Sequence, residues 1–164
     1  MDRITNTHIY FWGSQLSNWY ACEFNYKRKY FYNSEQAYMW EKAIYFNDNE
    51  VAEEILKTPD PRIVKKLGRL VKGFDTEVWN AECYDIMVDV CFEKFSQNVD
   101  LQLLLISTGD KILVEASPHD KIWGVGLHWK DDKILDEANW DGQNLLGKAL
   151  MEVRKIIKDG GLKI

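Results

Sequence analysis

The sequence predicts an α+β fold that is predominantly helical, a multihelical single domain over residues 1–164 with a small antiparallel β-sheet. Three observations carry that expectation. Aromatic-rich runs of strand composition fill the first third, and runs with apolar residues at helical spacing fill the middle. A chain of 164 residues, 46% of them hydrophobic, suffices for one core and is short for two. No internal repeat, low-complexity tract or interdomain linker interrupts it.

The elements follow in order. His8 to Trp12, Glu23 to Tyr26 and Lys29 to Asn33 read as strands, the last two joined through Lys27-Arg28 as a hairpin. Asn33-Ser34-Glu35-Gln36 offers a cap with Gln three places on, and Ala37, Trp40, Ala43 and Ile44 follow at helical spacing, which predicts a helix from Ser34 to Tyr45. Asp48 or Asn49 caps a short helix to Lys57, and Asp60-Pro61 starts another through Leu70, punctuated by Gly68 and Gly73. From Asp75-Thr76 an amphipathic run with Val78, Ala81, Ile86, Val90 and Phe95 reaches Asn98, and Leu101 to Ile106 reads as a buried helical turn or two. Lys111 to Ala116 has strand composition, Pro118 ends it, and a second apolar run spans Ile122 to Leu127, which sets Asp120 and Trp123 at the turn between them. Asn139 to Gly142 reads as a loop, and Asn144 opens a last helix ending at Gly160-Gly161.

Composition excludes several classes. With 21 Lys and Arg against 26 Asp and Glu, the formal charge of −5 argues against a surface built to neutralise many duplex phosphates. Cys22, Cys83 and Cys91 form no CxxC pair, and their odd number fits reduced thiols, Cys83 and Cys91 packing as small hydrophobes. No apolar stretch reaches the length of a membrane span and the N-terminus lacks a signal-peptide core, so no membrane partner and a cytoplasmic location are expected. His8, His119 and His128 show no zinc-ligand spacing, and there is no GxxxxGK[ST] loop, third dinucleotide-motif glycine or GxSxG elbow. No metal and no cofactor are therefore expected.

What remains is acid, amine and aromatic chemistry. Glu35 and Lys42 are seven residues apart, two helical turns less roughly 20°, so both project from nearly one face of one helix. The bland alternative makes Glu35 a first-turn carboxylate favoured by the helix dipole and Lys42 a solvated lysine. Asp120 and Trp123 sit in a segment whose glycines, Gly124 and Gly126, let backbone N–H groups approach a ligand; equally, Asp120 caps a turn and Trp123 fills the core. Arg69 could fork onto a phosphate or end a helix in solvent, and Trp79 could stack on a heterocycle or belong to the core. Asn18 and Asn98 could bind sugar hydroxyls or serve as turn and cap residues.

Leu16-Ser-Asn18, Ser34-Glu35 with Lys42, Leu67-Gly-Arg69, Trp79, Lys94-Phe-x-Gln-Asn98, Thr108-Gly109, Glu115-Ala-Ser-Pro-x-Asp120-x-Ile-Trp-Gly-x-Gly126, Asn144-x-Leu-Gly147 and Leu150-Met-x-Val-Arg154 occur in order. Together they resemble the NADAR family, also called YbiA-like, over nearly the whole chain. One departure is Gln36-Ala37 after Glu35, where many members have His-Tyr, so no role for that histidine transfers. The resemblance implies a mostly helical domain that cleaves N-glycosidic bonds between ribose and an exocyclic amine. Its substrate is either ADP-ribosylated guanine, in a nucleoside or nucleic acid, or a small ribosylamino-pyrimidine phosphate of early riboflavin synthesis. It implies Glu35, Lys42 and Asp120 as catalytic and Asn18, Arg69, Trp79, Asn98, Ser117, Trp123, Gly124 and Asn144 as substrate-binding.

Two routes fit those residues. In one, the ribose ring opens to an imine, the Lys42 amine attacks its carbon, Glu35 shuttles protons and Asp120 holds a ribose hydroxyl or stabilises charge at the anomeric carbon. In the other the ring stays closed, two carboxylates flank an oxocarbenium-like transition state and Lys42 binds phosphate. Competing readings are a non-catalytic ADP-ribose or nucleotide-binding module, with Trp79 and Trp123 as stacking surfaces and Arg69 at phosphate, and a structural interaction domain whose tryptophans are core. No residue pattern fixes an oligomeric state.

Overall fold

The computed structural model describes residues 2–160 and is α+β and mostly helical. Its contacts divide the chain into two compact units, Asn18–Val99 and Met1–Ser17 with Asp100–Ile164.

In the first unit a hairpin comes first: strands β3 (Phe24–Tyr26) and β4 (Lys29–Phe31) pair antiparallel. Lys27 and Arg28 connect them with φ of 48° and 65°, the left-handed pair that matches the twist of a tight two-residue hairpin. Helix α1 (Ser34–Tyr45) has the expected limits and packs against α2 (Asn49–Leu56), α3 (Pro61–Gly68) and α4 (Thr76–Gln97). Asn33, Asp48, Asp60 and Asp75 cap these four helices by accepting backbone N–H bonds. Along α4, Trp79, Cys83, Ile86, Met87, Val90, Cys91, Lys94 and Phe95 are buried, a stripe at helical spacing. Val78 and Ala81, counted among the apolar members of that run, face outward.

In the second unit, β1 (Asp2–Ile4), β2 (His8–Phe11) and β5 (Ile112–Glu115) form one sheet in the order β1-β2-β5. β1 is antiparallel to β2, and β2 is parallel to β5 with His8 opposite Ile112 and Phe11 opposite Glu115. The expected single antiparallel sheet is thus two small sheets, one of them mixed. The physical reason is burial: β5 buries Leu113, Val114 and Glu115 in succession, the pattern of a covered parallel strand. Helix α5 (Val99–Ser107) leads toward β5, and α6 (Leu145–Lys158) packs on it. Gly160 has φ of +117°, and Gly161 lies outside the described residues. Tyr10, Val114, Ala116, Val125 and Ile134 form the core, with Trp129 and Trp140 packed against it.

The second apolar run, Ile122 to Leu127, forms no strand. Its carbonyls bind the N-cap and first residues of α6 instead: Leu145 donates to Ile122, Leu146 to Trp123 and Asn144 to Gly124. Two short 3-10 helices, Asp132–Leu135 and Glu137–Asn139, occupy a stretch to which the sequence assigns no element, the second ending at the first residue of the expected Asn139–Gly142 loop.

Candidate active site

Helix α1 is anchored at its first turn from two directions. The Asn33 side chain accepts from the Gln36 N–H at 2.8 Å and donates to the Pro59 carbonyl at 2.8 Å. The Gln36 amide donates to the carbonyls of Ile55 (3.0 Å) and Thr58 (2.9 Å), which ties the helix start to the end of α2 and employs the residue that departs from the usual histidine. Asn18 supports the same turn: its backbone carbonyl accepts from the Glu35 N–H at 3.0 Å, and its side-chain oxygen accepts from the Ser34 hydroxyl at 2.8 Å. Glu35 is thereby held in a buried position, 8% exposed.

Two turns further, Lys42 is half-buried. Its ammonium donates to the Gly68 carbonyl at 2.9 Å and lies 4.3 Å from the centre of the Phe74 ring. Gly68 lets α3 lie close to α1, because a Cβ there would come within 2.3 Å of the Met39 side chain on α1. Burial pulls the Lys42 amine below the ordinary lysine value; the Glu35 carboxylate opposes the shift and the Arg69 guanidinium adds to it. Arg69 itself is exposed and ends α3.

Trp79 is 6% exposed and so belongs to the core, with its ring centre 5.4 Å from Tyr38, 5.7 Å from Tyr45 and 5.9 Å from Phe46. The phenol of Tyr38 exchanges hydrogen bonds with Trp79 and Cys83, and burial raises its pKa well above the ordinary tyrosine value. Sequence reasoning passed over Tyr38, Tyr45, Phe46, Gly68 and Phe74. Part of the signal was present: Tyr38 and Tyr45 fall at the spacing of Glu35 and Lys42, on the same face of α1. Within this unit the structure therefore gathers Asn18, Glu35, Lys42, Arg69 and Trp79 around the first and last turns of one helix. Asn98 lies elsewhere in the unit and bridges backbone, donating to the carbonyls of Glu23 (3.0 Å) and Lys94 (2.8 Å).

The other unit holds the remaining candidates in one latched turn. Asp120 accepts through one carboxylate oxygen from the N–H groups of Ile122 (2.9 Å) and Trp123 (2.8 Å), the turn-capping arrangement. The Ser117 hydroxyl accepts from the His119 N–H at 3.4 Å, and Trp123 is half-buried. Gly124 is required by the protein's own backbone, since a Cβ would sit 2.9 Å from the carbonyl oxygens of both Asp120 and Glu115. Asn144, at φ 53°, bridges β5 by donating to the Leu113 carbonyl (2.9 Å) and accepting from the Glu115 N–H (3.0 Å). Arg154, from α6, donates to the Thr108 hydroxyl at 2.9 Å and the Lys111 carbonyl at 2.8 Å. Among the described residues no group of three or more His, Cys, Asp or Glu could hold a metal ion, and no helix is long and apolar enough to cross a membrane.

Comparison with known proteins supplies the context of these two clusters. The NADAR domain matches residues 10–158. Protein irg-1 of Caenorhabditis elegans is 44% identical over 124 residues, which are 74% of this chain and 58% of that protein. N-glycosidase R617 of Acanthamoeba polyphaga mimivirus is 42% identical over 123 residues, covering 75% of this chain and 72% of that one. Among solved structures, the NMR structure of the E. coli protein YbiA superposes with a TM-score of 0.78 at 26% identity, covering 99% of this chain and 91% of the other.

Proposed function

The chain belongs to the NADAR domain family, and from that premise we infer that it is an N-glycosidase, a hydrolase that cuts the bond between ribose and an exocyclic amine of a heterocycle. The observation that carries the reading is the half-buried Lys42, its amine shifted toward the neutral form, on the helix face it shares with the buried Glu35 carboxylate. A solvated lysine serves no such chemistry at neutral pH, because its amine is almost wholly protonated and has no lone pair to give.

The steps follow from the bond. A ribosylamine opens its ring to an imine as the ring oxygen takes a proton, and Glu35 is the nearby acid. The neutral Lys42 amine adds to the imine carbon, forming an aminal. Proton transfer to the exocyclic nitrogen expels the free heterocyclic amine and leaves the sugar as an iminium on Lys42. Water, deprotonated by Glu35, adds to that carbon, and collapse returns the free sugar and the lysine amine, with one water consumed overall. Arg69, exposed at the end of α3, offers a guanidinium for a phosphate of the substrate.

Two substrate classes share the bond, ADP-ribosylated guanine and ribosylamino-pyrimidine phosphates. The deciding experiment incubates the protein with ADP-ribosylated guanosine and, separately, with the ribosylamino-pyrimidine phosphate, and measures free sugar. Release from one of them is expected, and binding of both without release overturns the reading. The pH dependence is a second check. Only the neutral amine attacks, so the rate of borohydride-trapped adduct rises with pH through the Lys42 ionisation. Because burial lowers that ionisation, the rise is expected below the value of about 10.4 typical of lysine, and a midpoint at the ordinary value contradicts the assignment.

A further inference from the structure

We propose that Phe74, backed by Phe46 and Tyr45, is the surface on which the leaving heterocycle packs, an inference that rests on the glycosidase reading and names a binding surface within it. Phe74 is 42% exposed and Tyr45 39%, although both are large aromatic groups. They belong to one interlocked set. The centre of Phe74 lies 5.3 Å from Phe46, and that of Phe46 lies 5.1 Å from Tyr45, both pairs edge-on. Trp79 closes the set from the core side, 5.7 Å from Tyr45 and 5.9 Å from Phe46. Single exposed aromatics are ordinary on a protein surface, but a contiguous group beside a half-buried amine is not.

Reach selects the ligand. In a ribosylamine only the exocyclic nitrogen separates the anomeric carbon from the heterocycle, so when Lys42 bonds that carbon the ring plane must lie next to its amine. Phe74 is the aromatic ring placed there, 4.3 Å from the Lys42 nitrogen. Gly73, at φ +76°, makes the turn that presents it ahead of α4, in a backbone conformation that side-chain-bearing residues rarely adopt. Trp79 cannot be that surface, since its ring is buried; it props Phe46 and Tyr45 instead. An aromatic wall accepts any planar base, purine or pyrimidine, and leaves discrimination to polar groups.

The test measures binding of the leaving groups alone, guanosine and a diaminouracil, to the full chain and to Phe74→Ala, Phe74→Leu and Phe74→Trp. Because Phe74 is exposed, all three variants are expected to melt with the unaltered protein. Loss of roughly ten-fold in affinity for at least one probe in both the alanine and leucine variants, with the tryptophan variant as tight as the parent, is the expected result. Leucine preserves apolar bulk without a π face, so a leucine variant that binds like the parent overturns the proposal. So does failure of the parent to bind either probe. Sugar release that persists while binding ignores Phe74 removes the wall and leaves the glycosidase reading intact; Phe74-dependent binding without sugar release does the reverse.

Discussion

Lys42→Ala is expected to lower kcat about a thousand-fold while leaving the fold in place. The magnitude follows from removing a covalent nucleophile, whose loss takes away a route through two easier barriers; positioned proton transfer by Glu35 alone contributes roughly 10²–10⁴-fold. The side chain is half-buried and its ammonium donates to the Gly68 carbonyl, so truncation costs little packing. Borohydride added during turnover should link the sugar to Lys42 in the unaltered protein, visible as a mass increment on the peptide that contains it, and to nothing in the alanine variant. A KM effect without a kcat effect would instead make Lys42 a binding residue, because loss of uniform binding leaves the chemical step untouched. Full turnover by the variant would remove the covalent route altogether.

Gly147→Ala is expected to be the most damaging glycine-to-alanine change among the described residues. A Cβ at Gly147 would fall 2.0 Å from the Leu113 carbonyl oxygen and 2.5 and 2.6 Å from the two side-chain polar atoms of Asn144. None of these neighbours can yield cheaply. Leu113 is backbone of the central-edge pairing of β5, and Asn144 bridges that strand through Leu113 and Glu115. Separating α6 from β5 would break both bridging hydrogen bonds and strand buried polar groups, in addition to the overpacking itself. Together these are worth about 3–5 kcal/mol. A fall of roughly 10 °C in the melting temperature is the matching readout for a chain of this size. A melt within a degree or two of the parent would show that α6 slides on β5 without resistance.

The parts that were legible from sequence were the parts specified locally. Helix α1 is bounded by Asn33 and its Gln36 partner, and α4 by Asp75, so their starts could be named from the residues that cap them. Glu35 and Lys42 share a face because helical geometry leaves no other choice, and their surroundings only refine it. What was illegible depends on distant partners. β1 is three residues, Asp2–Ile4, with no composition of its own, and exists because β2 pairs with it. The run Ile122 to Leu127 has the apolar character of a strand, but the carbonyls of Ile122, Trp123 and Gly124 are taken by Asn144, Leu145 and Leu146 at the start of α6, a long-range pairing that no local pattern announces. The Gly68 carbonyl reaches Lys42 from the end of α3 and Phe74 from the loop before α4, and the glycines of the motif segment turned out to serve close backbone packing. Asn98 and Asn144 read equally well as sugar ligands or as braces; the structure gives each of them two backbone partners.

The parallel pairing of β2 with β5 has a consequence for how this chain is assembled. His8 meets Ile112 and Phe11 meets Glu115, so β2, the middle strand of its sheet, is translated long before its parallel partner β5 exists to cover that edge. The whole Asn18–Val99 segment emerges in that interval. Closing the sheet then means joining ends across a very long loop, a slow event on entropic grounds, during which the apolar side of His8–Phe11 stays open to wrong partners. Chaperone dependence and aggregation of products truncated before β5 should therefore centre on β2.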